Sequence, residues 1–236
     1  MAHIGSTDFY IGIPSLPREE FELYSTRLFD QWDQYANNHL YLEDYSLALD
    51  VEEGSIKASG RIVAALGVLY IGIGQYGSFI SGLNTIHGQV KSVSKYLGEK
   101  AGAPFVESSI KPKVSNRGES LSRLKNIFTK VQSGDLSVEQ AMIESETLFG
   151  DELDSCPEFK SGLQDSLEKT PVMLQQMPLA LVDVEGNALL PEKRVIQRLP
   201  RQPKPKRPEP PADQLRVEVW RDTKKSKKNV RVTNLR

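Results

Sequence analysis

Basic residues crowd the chain's C-terminal end: Arg216, Arg221, Lys224, Lys225, Lys227, Lys228, Arg231 and Arg236. Lys193, Arg194, Arg198, Arg201, Lys204, Lys206 and Arg207 precede them. Cations at this density attract phosphates, whether on nucleic acid or on anionic lipid. Trp220 stands among them, and an indole can stack on a nucleobase. No named nucleic-acid motif accompanies the cluster, so backbone-driven binding is expected rather than sequence readout. The expected polyanion contacts are Arg216, Trp220, Arg221, Lys224, Lys225, Lys227, Lys228 and Arg231. An acidic protein partner, or the acidic body of the same chain, satisfies the same charges. Residues 193–236 hold 15 Lys/Arg against 4 Asp/Glu, whereas residues 1–192 hold 15 against 27. The net charge of -1 conceals this division.

Catalytic and metal-binding patterns are sparse. His3, His39 and His87 lie far apart, without ligand spacing. Cys156 is the only cysteine, which excludes an intrachain disulfide and a cysteine-based zinc site. Its acidic surroundings oppose a thiolate. Glu19-Glu20 and Glu52-Glu53 read as solvated carboxylates. IGIGQYG lacks the Gly-Lys-Ser/Thr ending of a phosphate loop. The expectation is a non-enzymatic protein with no catalytic residue, metal or cofactor.

A second pattern concerns assembly. No charged residue falls between Arg61 and Lys91, and small residues return every seven positions at Gly60, Gly67, Gly74, Ser81 and Gly88. Read as one helix from about residue 61 to 100, this segment is roughly 60 Å long. Its apolar part, Ile62 to Leu83, spans about 33 Å, close to a bilayer core of about 30 Å. Three readings are open. In lipid, Gly60, Gly67, Gly74, Ser78, Ser81, Gly82 and Gly88 form a close-packing seam, which implies a homo-oligomer. Tyr70, Gln75 and Tyr76 then bond between helices or face a pore. In a protein core the same residues admit a neighbouring element, at up to about 1 kcal/mol per helical glycine. In the third, IGIGQYGSF is not helical and one or more glycines adopt φ > 0. Flanking charge opposes a simple single span. Residues 1–61 carry 4 Lys/Arg and 11 Asp/Glu, and Lys91, Lys95, Lys100, Lys111 and Lys113 follow the apolar run.

The elements that position these groups follow from periodicity. Residues 1–17 read as loop, punctuated by Gly5, Gly12, Pro14 and Pro17. Phe21, Tyr24, Leu28, Phe29, Trp32 and Tyr35 recur at helical spacing between Arg18 and His39. Tyr45, Leu47, Leu49 and Val51 alternate, turn at Glu52–Ser55, and continue at Ile56, Ala58, Gly60 and Ile62, a hairpin signal. A connector runs from Ala101 to Gly118. Two helices joined at Gly134-Asp135 follow, the second opened by a Ser137/Gln140 capping box. A further helix spans Pro157–Lys169, and LALVDVEGNALL suggests a second hairpin. The six prolines of 199–212 imply an extended spacer. Leu215, Val217, Val219 and then Val230, Val232 alternate as strands around the lysine-rich turn.

The expected fold is α+β, mainly helical with short hairpins. Its parts are 1–60 (acidic helix and hairpin), 61–100 (glycine-rich helix), 101–198 (helical region), 199–212 (linker) and 213–236 (basic hairpin). The expected function is self-assembly through the glycine-rich helix, at or in a membrane, with a polyanion or acidic partner bound by residues 193–236. The alternative is a soluble nucleic-acid-binding or adaptor protein in which the apolar helix is core. The N-terminus lacks a basic region followed by an apolar run, so a location in the cytoplasm or at its membrane is expected, without secretion.

Overall fold

Leu47, Leu49 and Val51 alternate with polar neighbours and form β2 (Ser46–Glu52). Ile56, Ala58, Gly60 and Ile62 do the same in β3 (Ile56–Ala64). Gly54 and Ser55 turn the chain between them with φ of 88° and 80°. The computed structural model describes residues 1–108, 112–172 and 214–235, and this hairpin lies at the centre of an α+β fold. The other strands are β1 (Ala2–Ile11), β4 (Lys113–Arg117), β5 (Gln214–Arg221) and β6 (Asn229–Leu235). The six strands form one antiparallel sheet in the order β4-β1-β3-β2-β5-β6. The C-terminal hairpin β5–β6 therefore extends the sheet beside β2, to which the register ties Leu49 and Val219.

Two helices cover one face of the sheet: α1 (Arg18–His39) and α3 (Phe79–Gly102). Phe21, Leu28, Phe29 and Trp32 of α1 are buried, as the helical spacing requires. Trp32 donates from its indole N–H to the Val93 carbonyl at 3.2 Å, so its polar handle is satisfied in the core. Gly60 is where the sheet lets both helices approach. A β-carbon there would collide with Leu97 and sit 3.3 Å from the Trp32 ring.

The N-terminal segment is a strand rather than the loop its sequence suggests. β1 carries Gly5, Ser6, Thr7 and Asp8, which hide the alternation. Thr7 is nonetheless buried and donates to the Ser94 carbonyl at 3.2 Å. At Gly5 a β-carbon would strike Val90 of α3, so close helix packing requires the small residue. The expected connector after residue 100 includes a short 3-10 helix (Ala103–Ser108) and the edge strand β4.

The expected single helix over 61–100 is also corrected. Its first residues finish β3, and the rest divides into α2 (Leu66–Gly74) and α3. Gly77 adopts φ +79°, and the Ser78 hydroxyl accepts from the Ser81 N–H at 3.2 Å, capping a new helix. Among the described residues no single helix is long and apolar enough to cross a membrane. Helix α2 and the stretch Phe79–Phe105 have the length and hydropathy together but are bent by 111°. Leu66, Leu69, Ile73, Phe79, Leu83, Ile86, Val90, Val93 and Leu97 are buried inside the protein.

The small residues do not form one seam. Gly60 faces Leu97 and Trp32, and Gly67 lies 3.9 Å (to an added β-carbon) from the Cys156 sulfur. At Gly82 a β-carbon would run into the Ile73 backbone, which fixes the tight α2–α3 bend. Gly74 and Gly88 face open space, and Ser78 and Ser81 belong to the cap. Tyr70 packs against Phe159, Gln75 is exposed, and the Tyr76 hydroxyl accepts from Gln89 at 3.0 Å.

Beyond the sheet edge, α4 (Glu119–Ser133), α5 (Val138–Phe149), α6 (Asp151–Asp154) and α7 (Pro157–Glu168) build a helical lobe. Gly134 terminates α4 at φ +79°, and the Ser137/Gln140 capping box opens α5. Phe79, Phe128, Phe149 and Phe159 interlock at its centre, with centroids 5.5 to 5.8 Å apart. The expected second hairpin around Glu185-Gly186-Asn187 and the proline spacer 199–212 lie outside the described residues.

Candidate functional site

The residues expected to contact a polyanion are divided by the pleat of β5. Alternate side chains point to opposite faces of a strand. Leu215, Val217, Val219 and Arg221 face the helices, and Arg216, Glu218 and Trp220 face the open side. The two sets have different electrostatic fates.

On the helix side the cations are engaged by carboxylates, a backbone carbonyl and an aromatic ring of the protein itself. Arg221 is 2% exposed, and its guanidinium lies 2.7 Å from Asp33 of α1 and 5.0 Å from the Tyr45 ring centroid. It also donates to the Lys224 carbonyl. The Asp33 contact is off the hydrogen-bond line, and the Arg221 Nε has no partner among the described residues. Burial raises the Asp33 pKa above the ordinary carboxylate value, and the charge of Arg221 opposes that rise. Burial likewise raises the Tyr45 phenol, whose hydroxyl donates to Asn37 at 2.8 Å. The lysine-rich turn is tied to the same region. Lys224 donates its backbone N–H to Asp44 at 2.6 Å and its ammonium to the Leu42 carbonyl at 3.1 Å. Lys228 reaches both oxygens of Asp30, at 2.6 and 2.7 Å. Lys225 and Lys227 are exposed, with no side-chain partner among the described residues.

The open side carries a different surface. Register places Arg117, Ser6, Arg61, Ala48, Trp220 and Asn229 in one row across all six strands. The adjacent row is Ser115, Asp8, Ser59, Asp50, Glu218 and Arg231. The next is Lys113, Tyr10, Lys57, Glu52, Arg216 and Thr233. Small residues at Ala48 and Ser59 leave a shallow cleft of about 230 Å³. Arg61 and Trp220 stand on either side of Ala48, and Arg216 and Arg231 also line the cleft. Arg231 lies over the indole of Trp220, 5.5 Å from its centroid.

Carboxylates in the middle row hold some of these cations. Asp50 accepts from the Arg216 Nε at 2.8 Å and makes a second contact with its Nη2. That bidentate pair raises the Arg216 pKa. Glu218 lies 3.6 Å from Arg216 and 3.8 Å from Arg231, and Asp8 lies 3.7 Å from Arg117. Arg61, Lys57 and Lys113 are exposed and have no carboxylate partner among the described residues.

Of the sequence-expected contacts, the open face gathers Arg216, Trp220 and Arg231. It excludes Arg221, Lys224 and Lys228, whose charges are engaged elsewhere. Arg61, Lys57, Lys113 and Arg117 were not in that set, because they reach the face from strands distant along the chain. The alternation of Lys57, Ser59, Arg61 with Ile56, Ala58, Gly60 puts Lys57 and Arg61 on one side of β3, but no local pattern joins that side to Trp220. Comparison with protein-family models, with curated proteins and with solved structures returns no match.

Proposed function

We propose that the protein binds single-stranded nucleic acid across the open face of its sheet. The observation that carries this reading is Trp220, held on the uncovered side of β5 beside a small-residue floor and facing the unpaired Arg61 across Ala48. A partly exposed indole on the uncovered sheet face offers a stacking platform, and flanking cations draw the phosphates. Arg231 over the indole adds a second planar cation at the same spot. Asp50 and Glu218 position Arg216 and Arg231, while Arg61, Lys57 and Lys113 keep their charge for the ligand. Readout by shape and stacking fits this composition better than base-edge hydrogen bonding.

The test is anisotropy of a labelled single-stranded oligonucleotide. Saturable binding is expected, with a log–log salt slope of about -2 to -3.5, as three to five neutralised phosphates on a single strand give. Absence of binding at low salt, or equal preference for an acidic polypeptide of matched charge, overturns the reading.

A further inference from the structure

At the β4 edge of the sheet, a cleft of about 240 Å³ lies between α3, β4 and the start of α4. His87, Val90, Lys91 and Ser94 line it from one face of α3, at the three- and four-residue spacing of a helix. Asn116, Arg117, Gly118 and Ser122 complete the wall. We infer that this cleft is an oxyanion site that takes a phosphate group between His87, Lys91, Ser94, Ser122 and the first backbone N–H groups of α4.

Four observations carry the assignment. First, α4 is 15 residues long and begins at Gly118 without a side-chain cap, so its first N–H groups have no side-chain acceptor, with Glu119 the one carboxylate in its first turn. Second, Ser94 is 2% exposed, and its hydroxyl has no hydrogen-bond partner among the described residues. A buried polar group without a partner calls for an explanation, and a bound oxyanion supplies an acceptor. Third, Gly118 keeps the entrance clear. A β-carbon there would strike the Ser122 hydroxyl and lie 2.8 Å from His87 Nε2. The His87 and Ser122 polar atoms, 2.9 Å apart, therefore meet beside the helix start. Fourth, the local charge is cationic. Lys91 and Lys125 depress the His87 pKa, after the larger effect of burial. Two carboxylates lie nearby: Glu119 keeps its charge and accepts from the Ser6 hydroxyl at 2.7 Å, and Asp8, 3.7 Å from Arg117, offsets that guanidinium, which leaves Lys91 and Lys125 as the excess.

Free phosphate and the 5′-phosphate of a nucleic acid present the same chemistry, and an NMR titration of the full chain distinguishes them. The His87 imidazole signal is assigned by its loss in His87→Gln. Inorganic phosphate is expected to move it saturably, and Lys91→Gln to weaken that binding about tenfold, the worth of one charge-assisted hydrogen bond. Ser94→Ala is expected to weaken binding while leaving the thermal midpoint unchanged or higher, because it removes an unpartnered hydroxyl. If a 5′-phosphorylated oligonucleotide moves the signal where its 5′-hydroxyl counterpart does not, the source is a nucleic-acid end. Movement by inorganic phosphate alone assigns the site to a free phosphate or small phosphoester. A shift that matches chloride at equal ionic strength, or that survives both Lys91→Gln and Ser94→Ala, overturns the site. The phosphate arm uses no nucleic acid, so its outcome is independent of the open face.

Discussion

The two faces of β5 carry comparable basic residues and put them to opposite uses. Toward the helices, Arg221 is buried against Asp33 and Tyr45, while in the adjoining turn the Lys224 ammonium donates to the Leu42 carbonyl and Lys228 reaches Asp30. Toward solvent, Arg216 and Arg231 flank a partly exposed indole, with Arg61 facing it from β3. Positive charge on this hairpin is thus partly structural and partly available. The strand pleat decides which, because a one-residue step moves a side chain from one role to the other. Net charge along the chain does not carry that distinction.

The largest expected effect breaks the structural half. Arg221→Met removes the partner of a partly buried carboxylate and should lower stability by about 3 kcal/mol in chemical denaturation. Oligonucleotide affinity of the folded fraction should stay within twofold. The loss should depend on pH. Asp33 already has a raised pKa, and without Arg221 it rises further. Its folded form then holds a proton that the unfolded chain releases, so the variant loses stability as pH climbs through the window between the ordinary carboxylate value and the raised one. The difference from the parent protein should therefore be greater at neutral pH than in acid below the carboxylate range.

Next comes the available half. Trp220→Ala should weaken oligonucleotide binding by about 5- to 100-fold, the range for loss of one stacking residue, with a smaller effect on stability because the indole is only half-buried. Arg61→Gln removes one unpaired cation. It should cost a few-fold in affinity and reduce the salt slope by about 0.7, the contribution of one phosphate contact on a single strand. The smallest effect sharpens the comparison at its boundary. Lys225→Ala with Lys227→Ala removes two exposed charges from the turn and should change affinity less than twofold at physiological salt, where screening acts within about 8 Å. A larger loss would extend the binding surface around the turn toward α1.

Much of the fold is legible in the sequence where local signals are strong. Helix α1 follows from the spacing Phe21–Tyr35, the β2–β3 hairpin from alternation, and α5 from its capping box. Strand β1 is obscured because Ser6, Thr7 and Asp8 stand where apolar residues would mark a strand, although Thr7 is buried. Strand β4 is an exposed edge, and its sequence KVSNR has no buried residue to mark it. The glycine-rich run misleads for a definable reason. Its seven-residue rhythm resembles a packing seam, yet the close approaches occur at Gly60 and Gly82, to different neighbours, while Gly74 touches nothing. Periodicity shows which residues share a face only if the helix is continuous, and Gly77 with Ser78 interrupts it. Within the candidate site, Arg216, Trp220 and Arg231 were visible as a local cluster. Arg61 was not, since it joins Trp220 only through the pairing of β3, β2 and β5, which no local pattern encodes.

The most direct test of the open-face account uses the two tryptophans as a built-in contrast. Trp32 is 0% exposed, whereas Trp220 is partly exposed, so an aqueous quencher such as acrylamide should quench mainly Trp220 emission. Quenching would be measured with and without saturating single-stranded oligonucleotide. The account predicts that the oligonucleotide removes most of the quenchable fraction by covering the indole. Binding that leaves that fraction unchanged would contradict it and move the nucleic-acid interface off the open face of the sheet.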